Sequence, residues 1–172
     1  ITKETVFNGD SFQIQHIFLI EDPAGLIQNP QKAWHAELKP TEKNINEDRQ
    51  YASAIINQGG TITNYTLGAS LDDVLETTYL PGTTNWLAVR NKYFICSLIA
   101  NNAVGGFLGG SSYRLNEDIL IPKYSMGLNF KESSSLGVLQ YLGPLDVDLI
   151  GQSETYLDRV MNFGWLPIQP FS

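Results

Sequence analysis

The chain has 172 residues, of which 42% are hydrophobic and 17% are charged, so it can bury the core of a single domain and should not remain disordered. Its net charge of −7 at pH 7, without any cluster of Lys or Arg, excludes the basic surface that nucleic-acid-binding proteins use. No run approaches the ~18 apolar residues of a membrane-spanning helix. Because the chain begins at Ile1 without an initiator Met, we expect it to be a piece of a longer protein.

Alternation of apolar and polar residues, the pattern of β-strands, begins at residue 11. The segment SFQIQHIFLI places Phe12, Ile14 and His16 on one face and then becomes apolar on both faces, as in a strand that runs from a sheet edge into a core. Residues 39–49 alternate in charge and are predicted to form a solvated loop. Further strands are predicted at AWHAEL (33–38), YASAII (51–56) and GTITNYTLG (60–68).

The second half of the chain contains the most apolar stretch, NWLAVRNKYFICSLIA (85–100). Shorter alternating segments separated by Gly-rich or charged turns follow at GGFLGGSSYRL (105–115), DILIPKYSMGLNF (118–130) and SLGVLQYLG (135–143). The strands, residues 1–143, are therefore predicted to make one all-β domain.

Helical signals occur only near the C-terminus. Pro144 suits the first position of a short helix in PLDVDLI, and Ser153 opens a second helix that Gly164 ends. Residues 144–164 are thus predicted to form a helical element, and residues 165–172 to lead away from the domain. The side chains expected to pack on the strands share an apolar stripe and its flanks: Pro144, Leu145, Leu149, Tyr156, Leu157, Val160, Met161 and Trp165.

Reactive groups are sparse. The only two histidines, His16 and His35, lack the tight spacing of a metal site, and the pattern favours His16 as a hydrogen-bonded core residue. Cys96 is interpreted as a small buried hydrophobe. The carboxylate pairs lie in turns, and neither NAVGGFLGG nor Ser70 fits a phosphate-binding or nucleophile motif. We therefore predict no catalytic residue, no cofactor and no metal, with Trp34 and His35 as the residues of an open cleft.

Two stretches resemble one known family. Residues 83–100, TTNWLAVRNKYFICSLIA, are similar to a signature of the periplasmic domain of bacterial YidC-type membrane protein insertases (the YidC/Oxa1/Alb3 family), through Trp86, Ala88, Tyr93, Phe94 and Ile99. Residues 141–172 resemble the end of the same domain, where Gly143, Pro144, Gly164 and Trp165 occupy the motif positions. The two motifs occur in the family's order, whereas the first 80 residues match only in strand pattern.

The resemblance implies a β-supersandwich, a fold related to galactose mutarotase-like and sugar-binding proteins, with short C-terminal α-helices. It implies a non-catalytic, chaperone-like interaction domain at the periplasmic face of the inner membrane, which assists insertion and folding of membrane proteins alone or with the Sec translocon. The implied partners are Sec accessory subunits, nascent membrane proteins and the membrane part of the insertase. In some members a cleft is suited to an extended ligand.

The sequence leaves open one alternative function and one question about the sheets. A carbohydrate-binding or mutarotase-like domain follows from fold analogy alone, since such chemistry needs a carboxylate base and a His acid in one cleft. In addition, family domains carry strands that precede the region matched by Ile1. We therefore expect either a smaller sandwich or a sheet with an unpaired edge, and such an edge favours pairing with a second copy.

Overall fold

A computed structural model describes residues 1–146, with the exception of Asn8, Pro23, Asp118, Glu132 and Ser133. Within these residues the chain forms eleven strands and one short helix. In chain order they are β1 (Thr2–Phe7), β2 (Gln13–Leu19), β3 (Gln31–Glu37), α1 (Ile45–Gln50), β4 (Ser53–Gln58), β5 (Thr61–Tyr65), β6 (Leu75–Pro81), β7 (Thr84–Arg90), β8 (Phe94–Ile99), β9 (Ala103–Arg114), β10 (Leu120–Phe130) and β11 (Ser135–Pro144).

The strands form two antiparallel sheets. The larger has seven strands in the order β1-β2-β11-β8-β7-β4-β5, and the smaller has four in the order β3-β10-β9-β6. Their facing sides share a core in which Leu87, Leu98, Met126 and Leu128 are fully buried. The predicted all-β sandwich is confirmed.

A second apolar cluster lies on the opposite, outer face of the seven-stranded sheet. It contains Ile55, Trp86, Ala88, Ile95, Ile99, Tyr141 and Leu145, and we call it the outer cluster. The registers place Trp86 opposite Ile99 and Ile55 opposite Ala88, so the side chains of neighbouring strands meet on this face. The central strands β4, β7 and β8 are therefore buried on both faces, which explains why their sequences are continuously apolar.

Three elements were not predicted. Strands β1 and β6 are edge strands whose side chains are mostly exposed, so neither carries the apolar alternation that indicates a half-buried strand. The prediction of a wholly solvated loop at 39–49 is wrong, because α1 begins within it. Asn44 caps this helix by accepting the N–H of Glu47, and buried Asp48 accepts the N–H of Thr41 at 2.6 Å.

The C-terminal boundary also differs from the prediction. Strand β11 continues through Pro144, so the helix predicted to start at this residue does not include it. Hydrogen bonding explains the shift, since the carbonyl of Pro144 accepts the hydroxyl of Tyr141 at 3.0 Å and the N–H of Leu145 donates to the carbonyl of Tyr93 at 2.7 Å. The rest of the predicted helical element lies outside the described residues.

Candidate functional site

An apolar cleft of about 600 Å³ opens where β3, the edge strand of the smaller sheet, faces the ends of β8 and β11. Three large apolar side chains of the cleft are substantially exposed: Phe12 at 44%, Phe94 at 53% and Leu142 at 46%. The apolar lining also includes the half-buried Trp34 and Leu38 and the buried Val89, and the polar lining residues include His35, Glu37 and Asn91. The cleft is thus a mainly apolar surface with a few polar groups, as is usual for a binding site.

The turn between β7 and β8 positions Phe94. The side chain of Asn91 accepts the N–H groups of Tyr93 at 2.9 Å and Phe94 at 2.7 Å, while the N–H of Asn91 donates to the carbonyl of Phe94 at 3.0 Å. An Asn side chain that mimics a backbone turn in this way needs only local sequence. The phenyl ring at the mouth of the cleft is therefore held by a fixed turn.

The polar side chains at the rim of the cleft contact neighbouring side chains of this chain. The Nδ1 atom of exposed His35 lies 2.8 Å from the hydroxyl of Ser125. The carboxylate of Glu37 accepts the hydroxyl of Tyr113 at 3.2 Å and lies 3.7 Å from the ammonium of Lys123. Among the residues that the structure describes, no group of three or more His, Cys, Asp and Glu side chains is arranged to hold a metal ion. This rim is suited to polar contacts with a bound molecule.

A buried polar chain crosses the inner face beside the cleft. His16 is 5% exposed, and its Nε2 atom lies 2.9 Å from Oε1 of Gln140, whose amide donates to the Cys96 sulfur at 3.4 Å. Burial lowers the pKa of His16 and raises the pKa of the Cys96 thiol to about 11, so both groups are neutral at pH 7. The interpretations of His16 as a hydrogen-bonded core residue and of Cys96 as a buried hydrophobe are confirmed.

The lowered pKa of His16 predicts a pH-dependent stability. Protonation is less favourable in the folded chain than in the unfolded chain, so the contribution of His16 to the free energy of unfolding should be constant well above pH 6.5 and fall as the pH drops through 6.5 toward the lowered pKa of the folded state. Urea unfolding between about pH 8 and about pH 5 measures this slope before most carboxylates titrate. The matched variant His16→Gln keeps an amide donor toward Gln140 and should lose the slope; an equal slope in both proteins would contradict the assignment.

The family-motif residues separate into two groups. Trp86, Ala88 and Ile99 are buried in the outer cluster, whereas Tyr93 and Phe94 are exposed at the β7–β8 turn. Gly143 lies where an added Cβ would come within 2.6 Å of the Phe12 ring, so only glycine permits this close approach. Some residues of the family motif therefore pack the outer face of the sheet, and others shape the cleft.

Of the residues predicted for the C-terminal element, the structure describes Pro144 and Leu145. Leu145 is 9% exposed and belongs to the outer cluster. Leu149, Tyr156, Leu157, Val160, Met161, Gly164 and Trp165 lie beyond the described part of the chain.

Arg90 is a buried cation beside the outer cluster. Its side chain lies on the outer face between Ser53 and Ile95, the residue is 8% exposed, and its Nε atom donates to the Ser53 hydroxyl at 3.4 Å. Burial lowers the pKa of its guanidinium. Within the described residues, no carboxylate forms a salt bridge with Arg90. A buried guanidinium without a counter-ion is costly, so this position favours an anionic partner.

Phe12, Phe94 and Leu142 were not predicted as cleft residues. Leu142 lies on the inner-face alternation of β11 with Val138, and its exposure arises because β3 does not cover the end of that strand. In the sequence, the alternation of β11 places Leu142 on the inner face, but it does not show where the covering sheet ends. Trp34 and His35 both line the cleft.

Comparison with known proteins gives a consistent picture. The sequence model of the family described as "YidC periplasmic domain" matches residues 1–169. Similar curated proteins, each named "Membrane protein insertase YidC", come from Chlorobium phaeovibrioides at 33% identity, Chlorobium luteolum at 31% and Chloroherpeton thalassium at 30%. The alignments cover 92%, 92% and 93% of this chain, respectively. The chain spans about 28% of the length of these relatives, and no helix in its described part is long and apolar enough to cross a membrane.

Proposed function

This chain belongs to the YidC periplasmic domain family, and we propose that it is the non-catalytic interaction domain of a membrane protein insertase, able to hold apolar polypeptide segments in its cleft. The family supports the insertase context, and the relatives' name supports a role in inserting membrane proteins. The proposed location is the periplasmic face of the inner membrane.

The apolar cleft is the observation that carries this proposal. Phe12, Phe94 and Leu142 expose large apolar side chains together, whereas soluble proteins usually expose such side chains singly. A segment of a membrane protein that has not yet entered the bilayer also exposes apolar side chains. Burying them in the cleft removes apolar area from water on both partners, which favours binding without any chemical step.

We assign a second task to the outer cluster and residues 144–172. In this proposal, Leu149, Tyr156, Leu157, Val160, Met161 and Trp165 cover the outer cluster, and residues 165–172 lead toward the membrane. The polypeptide leaves β11 at this face, with Leu145 already packed in the cluster. A carboxylate of the following segment, which contains Asp148, Glu154 and Asp158, would neutralise Arg90.

The proposed partners follow from the same context. They are nascent membrane proteins, the membrane part of the insertase and Sec accessory subunits. Self-association through an open sheet edge is a further proposal, supported by the edge positions of β1, β5 and β6 among the described strands.

Calorimetric titration with a seven-residue peptide of alternating Val and Thr, the length of β3, tests the proposed function. We expect binding to the unmodified chain and at least about tenfold weaker binding to Phe94→Ser, because this change removes apolar surface from the cleft. The matched control is Phe7→Ser, which alters an equally large ring that is 71% exposed and lies outside the cleft.

Two results would contradict the proposal. One is no detectable binding of the peptide, and the other is equal weakening by both serine substitutions. A panel of monosaccharides forms a parallel titration, with His35→Ala as its control. Sugar binding that His35→Ala abolishes would instead support the carbohydrate-binding alternative.

A further inference from the structure

The cleft runs along the backbone of β3. Five consecutive residues, Trp34 to Leu38, line it. Side chains of successive strand residues point to opposite faces, so a cavity on one face would contact only every second residue. Contact with all five residues therefore means that the cavity lies against the edge of the strand.

That edge is unpaired within the described sheet, because β3 is the terminal strand and pairs only with β10. The N–H of Leu38 donates to the carbonyl of Pro122 and the N–H of Phe130 donates to the carbonyl of Pro30, each at 2.9 Å. Even-numbered residues of β3 thus direct their backbone groups toward β10. By alternation, the N–H and C=O groups of Ala33, His35 and Glu37 point to the open edge.

The smaller sheet also leaves room for another strand. Four strands face seven, and β3 lines the cleft together with β8 and β11, next to which β2 and β1 extend the larger sheet. Phe18 of β2 packs against the inner core but is only half-buried. A strand added beside β3 would cover more of this inner face, as the strands of a complete sandwich do.

Two lysines, Lys3 and Lys32, lie near one end of the open edge of β3. The Nζ atom of Lys32 lies 5.9 Å from the centre of the Trp34 ring, and that of Lys3 lies 5.8 Å from the centre of the Phe18 ring. Neither lysine takes part in a salt bridge among the described residues. Burial and the charge of Lys3 lower the pKa of Lys32, so a carboxylate here would relieve the repulsion between two cations.

We propose that an extended polypeptide segment binds by adding a strand to the open edge of β3, with apolar side chains entering the cleft at every second position and a carboxylate near Lys3 and Lys32. The inference rests on the proposed function and specifies how the polypeptide is held. Backbone hydrogen bonds supply affinity for many sequences, and the cleft selects apolar side chains, as in other cases of strand addition.

The same features argue against other occupants. A sugar has no repeating amide groups to match the backbone groups of Ala33, His35 and Glu37. A second copy of this chain carries the same net charge of −7, so electrostatic repulsion opposes its approach. A client segment with alternating apolar residues can pair its backbone with the open edge of β3 and also place its apolar side chains in the cleft.

The first test uses peptides alone and so avoids any folding defect. The seven-residue Val/Thr peptide is prepared with N-methyl groups on its Val residues, or on its Thr residues. In a strand added to β3, only one of these two sets directs N–H groups to the protein. One set of methyl groups should weaken binding about tenfold or more, and the other should change it little.

The second test changes β3 at one position. His35→Pro removes the outward N–H, which an edge strand tolerates, whereas His35→Ala removes the side chain and keeps the N–H. We expect His35→Pro to bind the peptide about tenfold more weakly than His35→Ala, which measures the loss of the side chain alone. Thermal melting checks that both variants fold; if His35→Pro does not, the methylated peptides still decide the question.

A third arm replaces the terminal residue of the peptide by Asp or by Lys, with Lys3→Ala/Lys32→Ala as the control protein. The Asp peptide should bind more tightly to the unmodified chain and lose this preference in the control.

The outcomes separate the inference from the proposed function. Equal effects of the two methylation patterns, while Phe94→Ser still weakens binding, would overturn strand addition and leave the cleft as the binding site. No detectable binding of the peptide to the unmodified chain would overturn both strand addition and the proposed function. A peptide-independent dimer that His35→Pro disrupts would identify a second copy as the occupant and also overturn the inference.

Discussion

Replacing Trp86 by alanine should lower the free energy of unfolding by about 3–5 kcal/mol, the usual cost of removing a large aromatic side chain from a core. Trp86 is 1% exposed although it lies on the outer face of the sheet, with Ile99 directly opposite on β8. If that face is packed as tightly as the inner core, the substitution leaves a cavity there. Urea unfolding followed by circular dichroism measures the loss.

Leu142→Ala provides the control for Trp86→Ala. Leu142 is an apolar residue of the same sheet but is 46% exposed in the cleft, so its removal should cost about 1 kcal/mol or less. A loss below about 1 kcal/mol for Trp86→Ala as well would mean that the outer cluster is not a packed core.

The second large effect concerns the C-terminal segment. Trp165→Ala should lower the free energy of unfolding by about 3 kcal/mol, because the proposal places this ring on the outer cluster. The effect should be non-additive with Trp86→Ala, since residues that share a packed site couple energetically. Phe171→Ala, in the stretch proposed to leave the domain, is the matched control and should change stability by less than about 0.5 kcal/mol.

Hydrogen exchange locates the effect of Trp165→Ala. The proposal predicts faster exchange in β7 and β8 after the substitution, because their outer faces lose cover. Unchanged melting together with unchanged exchange in these strands would show that Trp165 does not pack there, and residues 144–172 would need another role.

The sequence predicts the strands well where one face is buried and the other exposed. His16, for example, follows Phe12 and Ile14 at every second position, and β2 occupies this segment. Strand β1 is exposed along most of its length, so burial imposes no alternation on its sequence. Helix α1 has six residues and too few apolar positions for a period to be visible, although Asn44 and Glu47 form a local capping pair.

The site was only partly predictable for a different reason. Trp34 and His35 were identified from their own short segment, but the cleft also requires Phe94 and Leu142, which tertiary pairing brings beside β3. The buried outer face had a sequence signal, since TNWLAVR is apolar at adjacent positions. Alternation also places Arg90 on the same face as Trp86 and Ala88, but the sequence does not show which residues of β4 and β8 lie beside it. Such relations depend on register across strands that are distant in the chain.

The most direct measurement of the central claim, that this domain binds polypeptide in the cleft, is amide hydrogen exchange with and without the Val/Thr peptide. We expect slower exchange at Ala33, His35 and Glu37, whose N–H groups face the open edge, with smaller changes at Phe94. The amides of Ile55, Trp86 and Ala88 beneath the outer cluster should not change. Protection confined to those outer-face residues, or no protection anywhere at saturating peptide, would contradict binding of the polypeptide in the cleft.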